Sequence, residues 1–227
     1  MIRLSEKIVD DIKSRILKGE YQKGERLLAE LDLAKEHDVS RSVIRESLRN
    51  LEGLGLVKIK KGPKGGIFVS ESYHKPISDS LRGLVDGGQV TEANIFDIRL
   101  LLETHATAQA AINADKTDID HLNELLIIPE SKKADAQWLQ ANRSKFHLGL
   151  ARASKNPVLE VLMKGLINLL RKYFKDFHDV DFELESLISH KKILKTIEEK
   201  NPEKARALME AYILGMRDFI SQTLPGK

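Results

Sequence analysis

Apolar residues recur through the first 53 positions with helical spacing, and then briefly with the alternation of strands. Ile8, Ile12 and Ile16, with Val9 beside them, mark one face of a helix predicted over residues 5–18, which Gly19 stops. A turn over 21–25 leads to a second helix within 27–37, and Asp38-Val39-Ser40 forms a tight turn. From Arg41 to Glu52, Ile44, Leu48 and Leu51 repeat at i, i+4 and i+7, the signature of one buried face. Ser40 stands before that helix, where its hydroxyl is expected to cap a free amide of the first turn. Val57-Lys58-Ile59-Lys60 then alternates, Lys61-Gly62-Pro63-Lys64-Gly65-Gly66 turns, and Ile67-Phe68-Val69 returns as a β-hairpin.

Beyond Pro76 nothing reads as a strand. A short apolar-periodic segment covers 77–85, and Asp86-Gly87-Gly88-Gln89 breaks it. A long helix is predicted over 92–114, with Ile95, Ile98, Leu102 and Ala106 on its inner face. Further helices are predicted over 118–128, 135–153, 157–177, 182–200 and 202–224. Pro157 and Pro202 each follow an asparagine and sit in a first turn, where a missing N–H costs nothing. Short connections imply antiparallel neighbours, and 129–135 is the only loose loop. The expected fold is mainly α. A winged helix-turn-helix with a small hairpin wing occupies 1–72, and an all-α antiparallel bundle occupies 73–227, with a polar connector over 71–76.

Composition sharpens this picture in two places. The net charge is only +3 over 227 residues, yet the first 75 hold 16 Lys/Arg against 12 Asp/Glu, and the remainder 21 against 22. Between Ser40 and Gly66 seven basic residues face two acids, Glu46 and Glu52. Arg41, Arg45 and Arg49 repeat every four residues and form a cationic stripe apart from the apolar one. Such a run alone would be an ordinary solvated face. Coming on a helix-turn-helix with a basic hairpin behind it, it suits DNA, because guanidinium groups grip guanine edges and phosphates, and neutralised phosphates release counterions. The second informative feature is the absence of cysteine, which excludes disulfides and thiolate chemistry and fits a reducing compartment. The first six residues lack the apolar core of a signal peptide, and no apolar run approaches the roughly 20 residues that span a bilayer. A cytoplasmic protein with no membrane partner is expected.

The N-terminal part resembles the winged helix of the GntR family of bacterial regulators. The resemblance is carried by Gly24-Glu25-Arg26-Leu27, Glu30, Leu33-Ala34, Val39-Ser40-Arg41, Ile44-Arg45-Glu46-Ser47-Leu48, Leu51, Leu54-Gly55-Leu56-Val57 and Gly65-Gly66-Ile67-Phe68-Val69. It implies a transcriptional regulator, with Arg26, Ser40, Arg41, Ser42, Arg45 and Arg49 on the DNA, and Lys61 and Gly62 at the hairpin tip entering the minor groove. A homodimer on a short inverted repeat of double-stranded DNA is expected, since two-fold symmetry doubles a short site. Two positions depart from the family pattern. Leu28-Ala29 replaces the usual Pro-Ser helix start, and Leu31 replaces a common phosphate-touching arginine, so a shallower salt dependence is expected.

The second half resembles the ligand-sensing FCD-like domain of the FadR-type branch of that family. Asp97-Ile98-Arg99-Leu100-Leu101-Leu102-Glu103, Phe146-His147, Ala153-Ser154-Lys155-Asn156-Pro157 and His190-Lys191-Lys192-Ile193-Leu194 carry it. Many members of that branch hold a divalent metal through an aspartate, a histidine four residues later and two further histidines. Here His147 and His190 match two ligands, whereas Arg143 stands at the aspartate and Tyr212 at the last histidine. Two imidazoles fall short of the three or four protein ligands that zinc sites use, and a guanidinium puts positive charge where the cation would sit. No cofactor is therefore expected; were a divalent metal present, His147 and His190 would hold it. The expected site is an effector pocket of Arg99, Arg143, His147, His190 and Tyr212, binding a small carboxylate or phosphorylated metabolite directly. The bland alternative is a filled core in which Arg143 pairs with an acid such as Glu103.

A ligand-responsive repressor is thus the leading reading. Alternatives within it are a metal-dependent sensor with a rearranged ligand set, or a C-terminal domain that only dimerises. An enzyme is not expected: there is no phosphate loop, His-Glu-x-x-His or nucleophile elbow, and the histidines at 37, 74, 105, 121 and 178 are scattered. A nucleoid-coating protein would spread its positive charge more broadly.

Overall fold

The computed structural model describes residues 3–70, 73–174 and 176–223. Three expectations touch positions outside that range: the connector at Glu71 and Ser72, the helix expected over 157–177 at Lys175, and the end of the last helix at Leu224. The chain divides into two compact units, Met1–Asp79 and Ser80–Lys227.

In the first unit, helices α1 (Leu4–Leu17), α2 (Glu30–Glu36) and α3 (Arg41–Gly53) precede strands β1 (Val57–Lys60) and β2 (Gly66–Val69). The strands pair antiparallel, with Val57 opposite Val69 and Ile59 opposite Ile67. The chain before α2 adds to their edge, where Leu27 N donates to Ile67 O and Val69 N to Glu25 O, both at 2.8 Å. Ile8, Ile12 and Ile16 meet Ile44, Leu48 and Leu51 in one core, closed by Leu33, Val57, Ile67 and Val69. Each such side chain contributes about 1.5–3 kcal/mol on burial. Ser47, on the same face of α3, is satisfied by donating to Ser5 O at 3.0 Å and Val43 O at 2.9 Å.

The second unit is the helical bundle. The division between the units falls within α4 (Lys75–Asp86), and α5 (Glu92–Asn113), α6 (Lys116–Leu125), α7 (Ala136–Ala153), α8 (Pro157–Tyr173), α9 (Val180–Glu198) and α10 (Pro202–Thr223) follow. Thr91, Asp115, Asp135, Asn156 and Asp179 each accept amide hydrogen bonds at a helix start. Helix α7 lies between α5, α6, α8 and α9, while α10 packs along α5 and α9. Gly149 permits the α6–α7 approach, since a Cβ there would meet Leu122 Cδ2 at 2.8 Å.

Three details differ from the pattern-based reading. Ile98, expected inside, is 37% exposed, because the inner face of α5 runs through Ile95, Phe96, Arg99, Glu103 and Ala106 instead. Arg99 and Glu103 occupy that face because they neutralise each other. Helix α8 ends at Tyr173, four residues early, and Phe174 and Phe177 fold into the core beyond it. A short 3-10 turn, Glu130–Lys132, sits inside the expected loop.

Candidate functional site

The first candidate surface is α3 with the hairpin. The apolar face of α3 is buried, so Arg41, Arg45 and Arg49 are presented outward, and Arg26, Ser40, Ser42, Lys61 and Gly62 are exposed as well. Arg45 Nε donates to Glu30 Oε2 at 2.8 Å, and Arg41 Nη2 stands 3.8 Å from the same oxygen. Glu30, in the first turn of α2, thus steadies both arginines while each stays more than half exposed. Pairs this exposed cost little to exchange for phosphate. Gly66 lets the Arg26 side chain lie against β2, since a Cβ at that position would come within 2.6 Å of Arg26 Nε.

Ser40 occupies the N-cap position, but its hydroxyl pairs with that of Ser42 at 2.7 Å and does not cap an amide. That corrects the expected cap. The same holds for α2, where Ala29 offers no side-chain cap. Amides of a first turn without a side-chain cap are suited to a phosphate.

The second candidate is a polar centre inside the bundle, among α5, α7, α9 and α10. Arg99, Arg143, His147, His190 and Tyr212 all converge there, and three residues absent from the expected set join them: Glu103, Glu183 and Met216. Arg99 Nε donates to Glu103 Oε1 at 2.6 Å, one helical turn away. Arg143 grips Glu183 with two parallel bonds, Nε to Oε2 at 2.8 Å and Nη2 to Oε1 at 3.0 Å. The acid that partners Arg143 is therefore Glu183 on α9; Glu103 is taken by Arg99. Tyr212 OH lies 3.4 Å from Arg143 Nη1 and 3.5 Å from Ser186 Oγ. Glu183, Ser186 and His190 share one face of α9 at i, i+3 and i+7, and Tyr212 and Met216 are one turn apart on α10. That spacing was the available signal for the missing residues.

His147 Nδ1 stands 2.6 Å from Glu103 Oε2, close in distance but without hydrogen-bond alignment, and both atoms are buried. His147 Nε2 and His190 Nε2 are also buried without hydrogen-bond partners. Burial pushes His147 down from the usual imidazole range against the pull of Glu103, and it pushes His190 well below, aided by the positive charges nearby. Burial pushes the Glu103 carboxyl up, but Arg99 and His147 outweigh it and hold it well below the usual carboxylate range. Glu183 moves the other way: burial raises it despite Arg143.

These residues do not fit a divalent metal. Arg143 and Tyr212 stand where anionic and imidazole ligands would be needed, and the described residues contain no group of three or more His, Cys, Asp or Glu able to hold an ion. The centre is also nearly full. The spaces beside it, one lined by Arg99, Arg143, His147 and Met216 and one by Arg143, Glu183 and His190, hold about 20 Å³ each. That is room for about one water. A larger cavity, about 420 Å³, opens between α9 and α10 and shares Ser186, Tyr212 and Met216 with the centre.

Comparison with known proteins places both sites in context. The family described as "Bacterial regulatory proteins, gntR family" matches residues 4–69, and the "FCD domain" matches 94–215. The chain is 28% identical over 212 residues to the HTH-type transcriptional regulator LutR of Bacillus subtilis, covering 91% of this chain and 96% of that one. It is 31% identical over 216 residues to the Uxu operon regulator of Haemophilus influenzae, covering 89% and 76%. The solved Streptococcus agalactiae GntR aligns with a TM-score of 0.66 at 27% identity, over 94% of this chain and 99% of that one.

Proposed function

The chain belongs to the GntR family of bacterial regulatory proteins and carries an FCD domain, and from that premise we propose a cytoplasmic, homodimeric repressor that answers to a small anion. It is a DNA-binding transcriptional regulator and not an enzyme. Residues 1–72 bind a short inverted repeat. Arg41 and Arg45 read base edges or phosphates in the major groove, with Arg26, Ser40, Ser42 and Arg49 assisting. Lys61 and Gly62 follow the minor groove, where little more than backbone fits. Residues 73–227 hold the dimer and sense a carboxylate or phosphorylated metabolite through Arg99, Arg143, His147, His190 and Tyr212, without metal.

The observation that carries the DNA reading is the arginine stripe of α3, displayed outward by a helix whose other face is wholly buried. A nucleotide-resolution footprint on the chain's own promoter region tests it, and a protected site without inverted symmetry would refute the dimeric mode. The sensing reading is supported by two guanidinium groups, one buried and one partly buried, in one nearly closed centre. Their internal acids also favour a second reading, in which this domain only dimerises. A metabolite that changes operator affinity excludes that second reading, because a ligand shifts an equilibrium only through unequal affinity for the two states.

A further inference from the structure

Arg99 and Arg143 come from different helices; Arg99 gives its Nε to Glu103, and Arg143 gives one edge, Nε and Nη2, to Glu183. The Nη1 groups of both meet at one atom, the thioether sulfur of Met216, at 2.8 Å from Arg99 and 3.5 Å from Arg143, where Arg143 Nη1 also lies 3.4 Å from Tyr212 OH. A thioether is a weak, neutral acceptor, whereas two guanidinium donors aimed at one point suit an oxyanion, whose charge-assisted bonds are roughly twice as strong as neutral ones. His147 Nε2, buried and without a partner, belongs to the same centre. The donor geometry of an anion seat is present, with a sulfur in the seat.

Met216 also lines the 420 Å³ cavity between α9 and α10, together with Tyr212, Ser186, Ser189, Lys192 and Phe219. Its side chain therefore stands between the nearly full centre and a roomy space beside it. Methionine is unbranched and turns about three bonds, so it can leave one position and pack in another where a branched side chain could not. Lys192 and Glu185, both exposed at the cavity, place one charge of each sign on the way in.

We propose that Met216 is a gate: its thioether holds the anion seat between Arg99 and Arg143, and an effector carboxylate entering from the α9–α10 cavity displaces it. This rests on the reading of the helical domain as an anion sensor and adds the route and the moving part. In the empty state the sulfur accepts from Arg99 Nη1 and shares Arg143 Nη1 with Tyr212 OH; in the bound state the carboxylate takes both donors and the methionine turns into the cavity.

Acetate is the probe, being a carboxylate about the size of the thioether end it would replace. Full-length protein labelled with [methyl-13C]methionine has four methionines, and Met216→Leu assigns the resonance in question. Titration with sodium acetate against sodium chloride at matched ionic strength should shift the Met216 methyl signal saturably. Met216→Ala should bind acetate at least tenfold more tightly than wild type, read by the rise in melting temperature, since nothing competes for the seat. Equal acetate stabilisation of wild type and Met216→Ala, with the methyl signal unmoved, would overturn the gate and leave the anion reading standing. No acetate response in either protein would overturn both. If the alanine variant does not fold, the wild-type methyl titration decides alone.

Discussion

Arg143 on α7 and Glu183 on α9 face each other through two parallel hydrogen bonds, and Glu183 is almost wholly buried. A pair in this position ties two helices together, but its net contribution is limited by the desolvation of both charges. Removing one partner is a different matter, because it strands the other. Glu183→Ala should therefore destabilise the helical domain by about 3–5 kcal/mol in urea unfolding. The double replacement Arg143→Met with Glu183→Leu should lie near the wild type or above it. A double variant as unstable as the single one would show that the ion pair itself supplies the stability.

Stability should fall as pH drops below 6.5, before most carboxylates titrate. His147 and His190 have folded-state values below the ordinary 6.5, so the unfolded chain binds more protons than the folded one in that window. Their contribution is complete above 6.5 and declines as pH falls towards the folded values. The slope is about 1.4 kcal/mol per pH unit for each fully unprotonated buried imidazole. His190→Gln should flatten the profile between pH 6.5 and 5, measured as the urea midpoint at each pH. Glu103, also lowered, adds a later loss only below its unfolded value of 4.5.

On α3, Arg45→Ala should weaken specific operator binding by about 1–3 kcal/mol in anisotropy titrations at matched salt. Glu30→Ala should leave folding almost unchanged, because the pairs it makes are exposed. It should, however, loosen discrimination between operator and unrelated DNA by releasing Arg41 and Arg45 from a shared anchor. Unchanged operator affinity in Arg45→Ala would remove α3 from the major groove.

Leu31 projects from α2 with 51% of its surface exposed, at the position where the resemblance to the family implies an arginine. Leu31→Arg should steepen the dependence of log affinity on log salt by about one unit, the value of one added phosphate contact. An unchanged slope would mean that α2 does not approach the backbone.

Gly149→Ala should cost about 1–3 kcal/mol, since the new methyl must displace Leu122 at the α6–α7 contact. Gly53→Ala, where a Cβ meets nothing within 4 Å, is the matched control.

Much of this molecule could be read before any tertiary contact was known. Apolar spacing alone places Ile8, Ile12, Ile16, Ile44, Leu48 and Leu51 in one core, because periodicity of burial is a property of the helix and not of its neighbours. The arginine stripe of α3 is legible for the same reason: positions four apart share a face wherever the helix packs. Asn156 before Pro157 likewise marks a helix start by local chemistry.

The interior of the bundle is another matter. The sequence by itself determined that Arg143 and His147 lie one turn apart and that an arginine replaces an aspartate. Only the tertiary structure decided that Glu183, 40 residues along, takes Arg143, that Glu103 goes to Arg99, and that both arginines meet at Met216. Ile98 and Arg99 show the reason in miniature. Hydropathy puts the isoleucine inside, whereas the folded chain exposes it and buries the neighbouring Arg99, since a buried guanidinium is tolerable once a carboxylate from its own helix neutralises it. Local periodicity fixes which residues share a face, but the partner of a buried charge is chosen by whichever helix arrives opposite it.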